Sequence, residues 1–285
     1  MILTKSYIKE TAFRESVFFD KCKIQNAKCK IRLEKTRALE SEEIIMKNVL
    51  CIGNSFSQDA TRYLHQVSGE ELFVRNLYIG GCSLERHYNN IVGNIADYDY
   101  QKNGRYLRKI SIEEALGKKK WDYITVQQVS QDSGIIDTYE PFLGEIVKFI
   151  REKCPSARIV LHRTWAYSET SDHGGFVNYD RDRKKMFNAI VETTSKIAER
   201  YGFDVIPCGN AVEMASDTLP EFKLGAELSM HRDGFHLSLD YGRYLAALVM
   251  CKYFTGKRAC EVEYEPENTN PEIIAKLKDI ADKAL

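Results

Sequence analysis

Two places in the 285-residue chain hold side chains that can act together on an acyl carbon. Ser55 follows the run Val49-Leu50-Cys51-Ile52-Gly53-Asn54, and Asp233-Gly234-Phe235-His236 comes far downstream. A serine hydroxyl is a poor nucleophile until a base takes its proton. A carboxylate three residues before an imidazole, across one turn, can hold the Nδ1–H and leave Nε2 free to be that base. A turn aspartate followed by a surface histidine has the same spelling. The pair gains meaning from its place after the last strand, where an α/β chain returns to the sheet's carboxyl edge.

The elements around Ser55 suit this chemistry. Val49 to Gly53 has the length and apolarity of a strand, and Ala60, Tyr63, Leu64 and Val67 then repeat at the helical period. Gln58 and Asp59 read as an acidic, capping-type helix start. A strand, a tight turn and a helix expose the turn residue at the end of a sheet. They also aim free backbone N–H groups and the positive end of a helix dipole at it.

Further strands are expected at 72–79, 122–127, 157–162 and 203–207, beside the first at 48–53. Helical patterns fall at 58–67, 111–117, 139–152, 180–201 and 239–254, with one more after Pro271. Alternating strands and helices with continuous apolar strands, such as Tyr123-Ile124-Thr125-Val126, predict a parallel sheet covered on both faces. Ligands bind outside the carboxyl ends of such strands. There, Gly81 is a candidate oxyanion donor through its N–H, while Gly80 makes the turn. Gln128 or Gln131 offers a side-chain NH₂ for the same purpose, or belongs to a solvated loop. Ser83 and Cys82 form a competing nucleophile in a second Gly-x-Ser spelling. Trp165 and Tyr167 are either an aromatic platform for substrate or core packing, and Asn54 is a further candidate substrate contact. His65, His87, His162 and His173 lack metal-ligand spacing, so no metal and no cofactor are expected.

Composition narrows the partners. Lys+Arg and Asp+Glu are equal at 41 each, which removes the electrostatic case for nucleic acid or an anionic membrane. No apolar run reaches the roughly 18 residues of a membrane span. The eight cysteines include no C-x-x-C pair, and no secretory h-region is visible, so a cytoplasmic location is expected. Residues 1–45 are charged and weakly periodic, with no Gly or Pro. They are expected to be a poorly ordered appendage to a catalytic domain over 46–285.

Gly53-Asn54-Ser55-Phe56, Gly81, the glutamine-rich block 127–132 and Asp233-Gly234-Phe235-His236 together resemble the four blocks of the SGNH (GDSL-like) hydrolases. The likeness spans about residues 46–255 and is closest to the DUF4886 branch, whose members open with a similar Cys-Ile-Gly-Asn-Ser-Phe-Ser string. It implies a three-layer α/β/α sandwich with a five-stranded parallel, flavodoxin-like sheet, and metal-free hydrolysis of acyl esters, often acetyl groups on carbohydrates. It implies Ser55 as nucleophile, His236 as base and then acid, and Asp233 as the group that orients it. The N–H groups of Ser55 and Gly81 would line the oxyanion hole. Two departures stand out: Asn54 replaces the aspartate of the Gly-Asp-Ser block, and Val129-Ser130-Gln131-Asp132 replaces Gly-x-Asn-Asp, putting Gln131 at the usual asparagine.

The expected substrate is therefore a small-molecule or glycan ester, with acyl transfer on the same site and a non-catalytic glycan-binding module as alternatives. Loops 84–107 and 165–180 are where specificity is expected, and the sequence leaves the oligomeric state open. A chain beginning at Met46 is expected to fold cooperatively in thermal unfolding followed by circular dichroism. Loss of that transition would place residues 1–45 in the fold.

Overall fold

The computed structural model describes residues 46–285, and the expectation for residues 1–45 lies outside the described residues. Seven strands form one sheet: β1 (Lys47–Gly53), β2 (Leu72–Tyr78), β3 (Tyr98–Lys102), β4 (Arg105–Ile110), β5 (Tyr123–Val126), β6 (Arg158–His162) and β7 (Asp204–Ile206). Their order is β4-β3-β2-β1-β5-β6-β7. Side chains alternate across β1 and are buried on both faces. Val49 and Cys51 enter one apolar cluster, and Leu50 and Ile52 enter another. A strand buried on both faces is typically flanked by a parallel partner on each side and covered by helices above and below. β1 has both, pairing in parallel with β2 and β5.

The five-stranded, wholly parallel, flavodoxin-like sheet expected from the sequence is corrected here. The sheet has seven strands and is mixed, because β3 runs antiparallel to β2 and β4 antiparallel to β3. Asn103 and Gly104, both at positive φ (53° and 72°), make the tight two-residue turn between β3 and β4. That turn matches the twist of an antiparallel pair. The flanking segments hide the hairpin because β4 is exposed over all but its last residue and reads as polar. Its Arg105, Arg108 and Lys109 protect the sheet's open edge from pairing with other chains. The expected specificity loop 84–107 is thus a helix followed by most of a hairpin.

The helices are α1 (Ser55–Thr61), α2 (Leu64–Ser68), α3 (Leu84–Val92), α4 (Ile112–Leu116), α5 (Phe142–Lys153), α6 (Arg183–Tyr201), α7 (Cys208–Thr218), α8 (Tyr241–Thr255) and α9 (Pro271–Ala284). The single helix expected over 58–67 starts at Ser55 and divides at Tyr63, whose φ of −105° and ψ of 1° leave the helical region. α7 escapes the periodicity argument because its buried residues, among them Gly209, Ala211 and Ala215, are mostly small. α8 is buried almost all round and packs against α1, α2, α7 and α9, which places it inside a helical layer rather than on its surface.

From β1 the chain first builds outward through β2, then crosses to β5 on the other side. The carboxyl end of β1 is therefore the point where strand order reverses, and a crevice opens there. α7 is held close to the end of β6, since a Cβ on Gly209 would lie 2.1 Å from the carbonyl oxygen of Thr164. Gly209→Ala should cost about 1–3 kcal/mol of overpacking, a fall in melting temperature of roughly 2–12 °C for a domain of this size. An unchanged thermal transition would show that α7 can move away freely.

Candidate active site

The turn after β1 is built by two residues. A Cβ on Gly53 would stand 2.6 Å from the Ser57 Cβ, so only glycine lets the strand enter α1 this sharply. Asn54 is the N-cap, and its Oδ1 accepts from the Phe56 N–H at 3.0 Å. The same oxygen accepts from Gln127 Nε2 at 2.9 Å, and Asn54 Nδ2 donates to the Cys82 carbonyl at 3.1 Å. One buried amide thus joins the chain after β1, β2 and β5 and fixes where Ser55 sits.

Asp59 does not cap α1. Its carboxylate is fully buried one helical turn beyond Ser55 and accepts from Arg232 Nη1 (2.9 Å), Arg243 Nε (2.8 Å) and the Leu237 N–H (3.0 Å). These bonds tie the segment carrying Asp233 and His236 to the helix carrying Ser55. Gly234 (φ 85°) completes the turn, since a Cβ there would lie 2.7 Å from Ser171 Cα.

The three groups meet in hydrogen-bonding order. His236 Nδ1 donates to Asp233 Oδ2 at 2.7 Å, and the Ser55 hydroxyl donates to His236 Nε2 at 2.8 Å. Asp233 Oδ1 accepts from the backbone N–H groups of His236 (2.8 Å) and Phe235 (3.2 Å). Partial burial pushes the Asp233 carboxyl up, but those N–H groups and the imidazole outweigh it and hold the pKa below the ordinary value. The anion that fixes the imidazole is therefore present above the usual carboxylate range and is lost only as pH falls through the lowered value.

A cavity of about 290 Å³ opens beside Ser55 and His236, bordered also by Gly81, Gln131, His173 and Phe235 among others. Gly81, at φ 61°, presents its backbone with nothing within 4 Å of where a Cβ would be. Gln131 reaches the cavity, backed by Gly175, whose Cβ would collide with it at 2.3 Å. Gln128 does not. Its Oε1 accepts from the N–H groups of Leu84 (2.9 Å) and Val129 (2.8 Å), and its Nε2 donates to Thr138. Both ends of that amide are committed to loop structure.

Ser83 caps α3, accepting from the Arg86 N–H at 3.2 Å. Cys82 is wholly buried, and that burial pushes its thiol up to about 12. Of the two readings of Trp165 and Tyr167, substrate platform or core packing, the structure supports packing: both side chains are 0% exposed. Trp165 stacks on Phe56 at 4.3 Å and donates to the Phe235 carbonyl at 2.8 Å, bracing neighbours of Ser55 and His236. Tyr167 shares a 2.7 Å hydrogen bond with Ser130. His162 donates from Nδ1 to Gln127 Oε1 at 2.8 Å, and burial lowers its pKa to about 3, so it stays neutral. Among the described residues, no group of three or more His, Cys, Asp or Glu is placed to hold a metal ion, and no helix is long and apolar enough to cross a membrane.

Sequence reasoning missed Asp59 as an anchor, Phe235 as a cavity wall and His173 as a cavity residue. Phe235 lay inside the Asp-Gly-Phe-His block and His173 inside the expected specificity loop 165–180, but Asp59 carries no spacing signal, because its partners are distant in sequence.

The family model for DUF4886, a domain of unknown function, matches residues 48–284. The chain belongs to that family. A crystal structure of a DUF4886 family protein from Bacteroides uniformis is 40% identical, with a TM-score of 0.77, covering 84% of this chain and 94% of that one. Two more distant structures share the fold. One, from Slackia heliotrinireducens and proposed to be an SGNH hydrolase, is 20% identical with a TM-score of 0.51, covering 73% of this chain and 98% of that one. The other, from Streptococcus pneumonia and proposed to be a platelet activating factor, is 19% identical with a TM-score of 0.51, covering 78% and 90%. No curated protein matches the chain.

Within this DUF4886 domain, Asp59→Asn should separate the two halves of the site. Breaking a buried ion pair on one side costs about 3–5 kcal/mol, and a misplaced base can slow attack by up to about 10²-fold. Thermal unfolding together with the rate of Ser55 labelling by a fluorophosphonate checks both. Wild-type behaviour in both would show that the segment around His236 stands without Asp59.

Proposed function

We propose that this DUF4886 protein is a serine esterase that cleaves acyl esters through an acyl-enzyme. The observation that carries the reading is the unbroken hydrogen-bonded chain from Ser55 to His236 to Asp233, opening on a cavity. The shared fold with a protein from Slackia heliotrinireducens proposed to be an SGNH hydrolase supports it as well.

In this mechanism Ser55 Oγ attacks the ester carbonyl carbon while its proton passes to His236 Nε2. The imidazolium is stabilised by the Asp233 carboxylate, which stays ionised. The carbonyl oxygen gains the negative charge and is met by the N–H groups of Ser55 and Gly81, with the Gln131 amide as a third donor. Collapse breaks the bond to the alkoxy oxygen, which takes the proton from His236 and leaves as the alcohol. Water then loses a proton to His236 and attacks the acyl-serine, releasing the carboxylic acid and restoring Ser55. Each proton that leaves one oxygen passes through the same imidazole, so no other acid or base is needed.

A fluorophosphonate should label Ser55 in the wild-type protein and not in His236→Ala. Ser55→Ala and His236→Ala should each lower ester turnover by roughly 10⁴–10⁶-fold, since such residues act as a unit. Full turnover by Ser55→Ala would refute the mechanism.

A further inference from the structure

Opposite the short-lived charge of the acyl group, a substrate ester has a second half, its alcohol. His236 must hand a proton to the alkoxy oxygen, so the alcohol leaves on the imidazole's side of the reacting carbon. The groups continuous with that imidazole therefore border the alcohol. Phe235 is in contact with His236, with ring centroids 4.1 Å apart, and His173 meets Phe235 at 4.9 Å in an edge-on arrangement. All three rings border the cavity that holds Ser55.

The orientation of His173 is set by its neighbours. Its ring is held between Phe235 and Tyr167, the latter at 4.9 Å, and Tyr167 is itself fixed by its bond to Ser130. The Gly175 N–H donates to His173 Nδ1 at 3.1 Å. A nitrogen that accepts a hydrogen bond carries no proton, so the neutral ring has its proton on Nε2. Desolvation and the nearby His236 both lower the pKa of His173 against a weaker opposing pull from Asp172, which favours the neutral ring. The result is an oriented, uncharged N–H donor beside an aromatic wall.

Resting on the esterase reading above, we propose that His173 Nε2–H, with the Phe235 ring, forms an alcohol subsite selecting esters whose alcohol carries a hydrogen-bond-accepting oxygen near the ester bond. A donor with a fixed tautomer discriminates by what it loses when the acceptor is missing, since the unpaired N–H is then partly desolvated. His173 acts on substrate choice and takes no part in the proton transfers of Ser55.

The test compares 2-methoxyethyl acetate with butyl acetate, which differ by one ether oxygen in place of a methylene. The wild type should favour the ether. In His173→Asn, whose side-chain oxygen can still accept from Gly175 but which lacks the distal donor, the ratio of the two kcat/KM values should fall by about 3- to 10-fold, the worth of one neutral hydrogen bond. His173→Gln, whose amide reaches further, should recover part of the ratio. An unchanged ratio in His173→Asn, whether the two rates drop together or not at all, overturns the assignment. So does a wild type that prefers the butyl ester, a result that stands even if neither variant folds. Fluorophosphonate labelling of wild-type Ser55 separates the two readings. Labelling with an unchanged ratio defeats only the alcohol subsite, whereas absent labelling with no cleavage of either ester defeats the esterase and the subsite together.

Discussion

The buried carboxylate of Asp59 is the constraint on which the site depends. Ser55 and Asp59 stand one turn apart on α1, so the helix that positions the hydroxyl also positions the anchor for the segment carrying His236. Taking a carboxylate out of water is costly unless charge and hydrogen bonds replace the lost solvent. Arg232, Arg243 and the Leu237 N–H supply both, and all three belong to the segment from Arg232 through Arg243 that includes His236. The long interval of chain between Ser55 and His236 is thus closed by an interaction whose loss would leave a buried charge uncompensated. Trp165 adds a second brace, stacked on Phe56 beside the serine and bonded to the carbonyl of Phe235 beside the histidine.

A second layer of order comes from amides. Asn54, Gln127 and His162 form a buried line of hydrogen bonds across the ends of β1, β5 and β6. Gln128 pins the start of α3 to the loop after β5. Neutral amides can donate and accept at once, so they join backbone ends without importing charge near the triad. The Asp233 carboxylate is then the one anion hydrogen-bonded directly to the imidazole, and its position is held by two backbone N–H groups as well as by His236. That arrangement holds the anion where it offsets a positive charge on the imidazole.

Much of the frame was legible in the chain. Among the parallel strands, β1, β5 and β6 announce themselves most plainly, because burial on both faces demands largely apolar runs. The hairpin of β3 and β4 was not read, although Asn103-Gly104 is a strong turn signal, because an edge strand exposed along its length has no apolar run to flank the turn. The split of α1 from α2 was also invisible. Apolar spacing continues through Tyr63 although the backbone does not, so the period survives the break.

By itself the sequence determined which residues carry reactive groups and which segments must be buried, because both follow from side-chain chemistry and local period. Ser55, Asp233 and His236 could be named on those grounds, as could the turn glycines. Tertiary structure alone decided what those residues touch. It assigned Asp59 to an ion pair instead of a cap, placed Trp165 and Tyr167 in the core, committed Gln128 to loop structure, and turned His173 toward the cavity. The reason is common to all four. Each role is fixed by a partner distant in the chain, or by which side of a packed element faces solvent, and neither leaves a period or a spacing in the sequence.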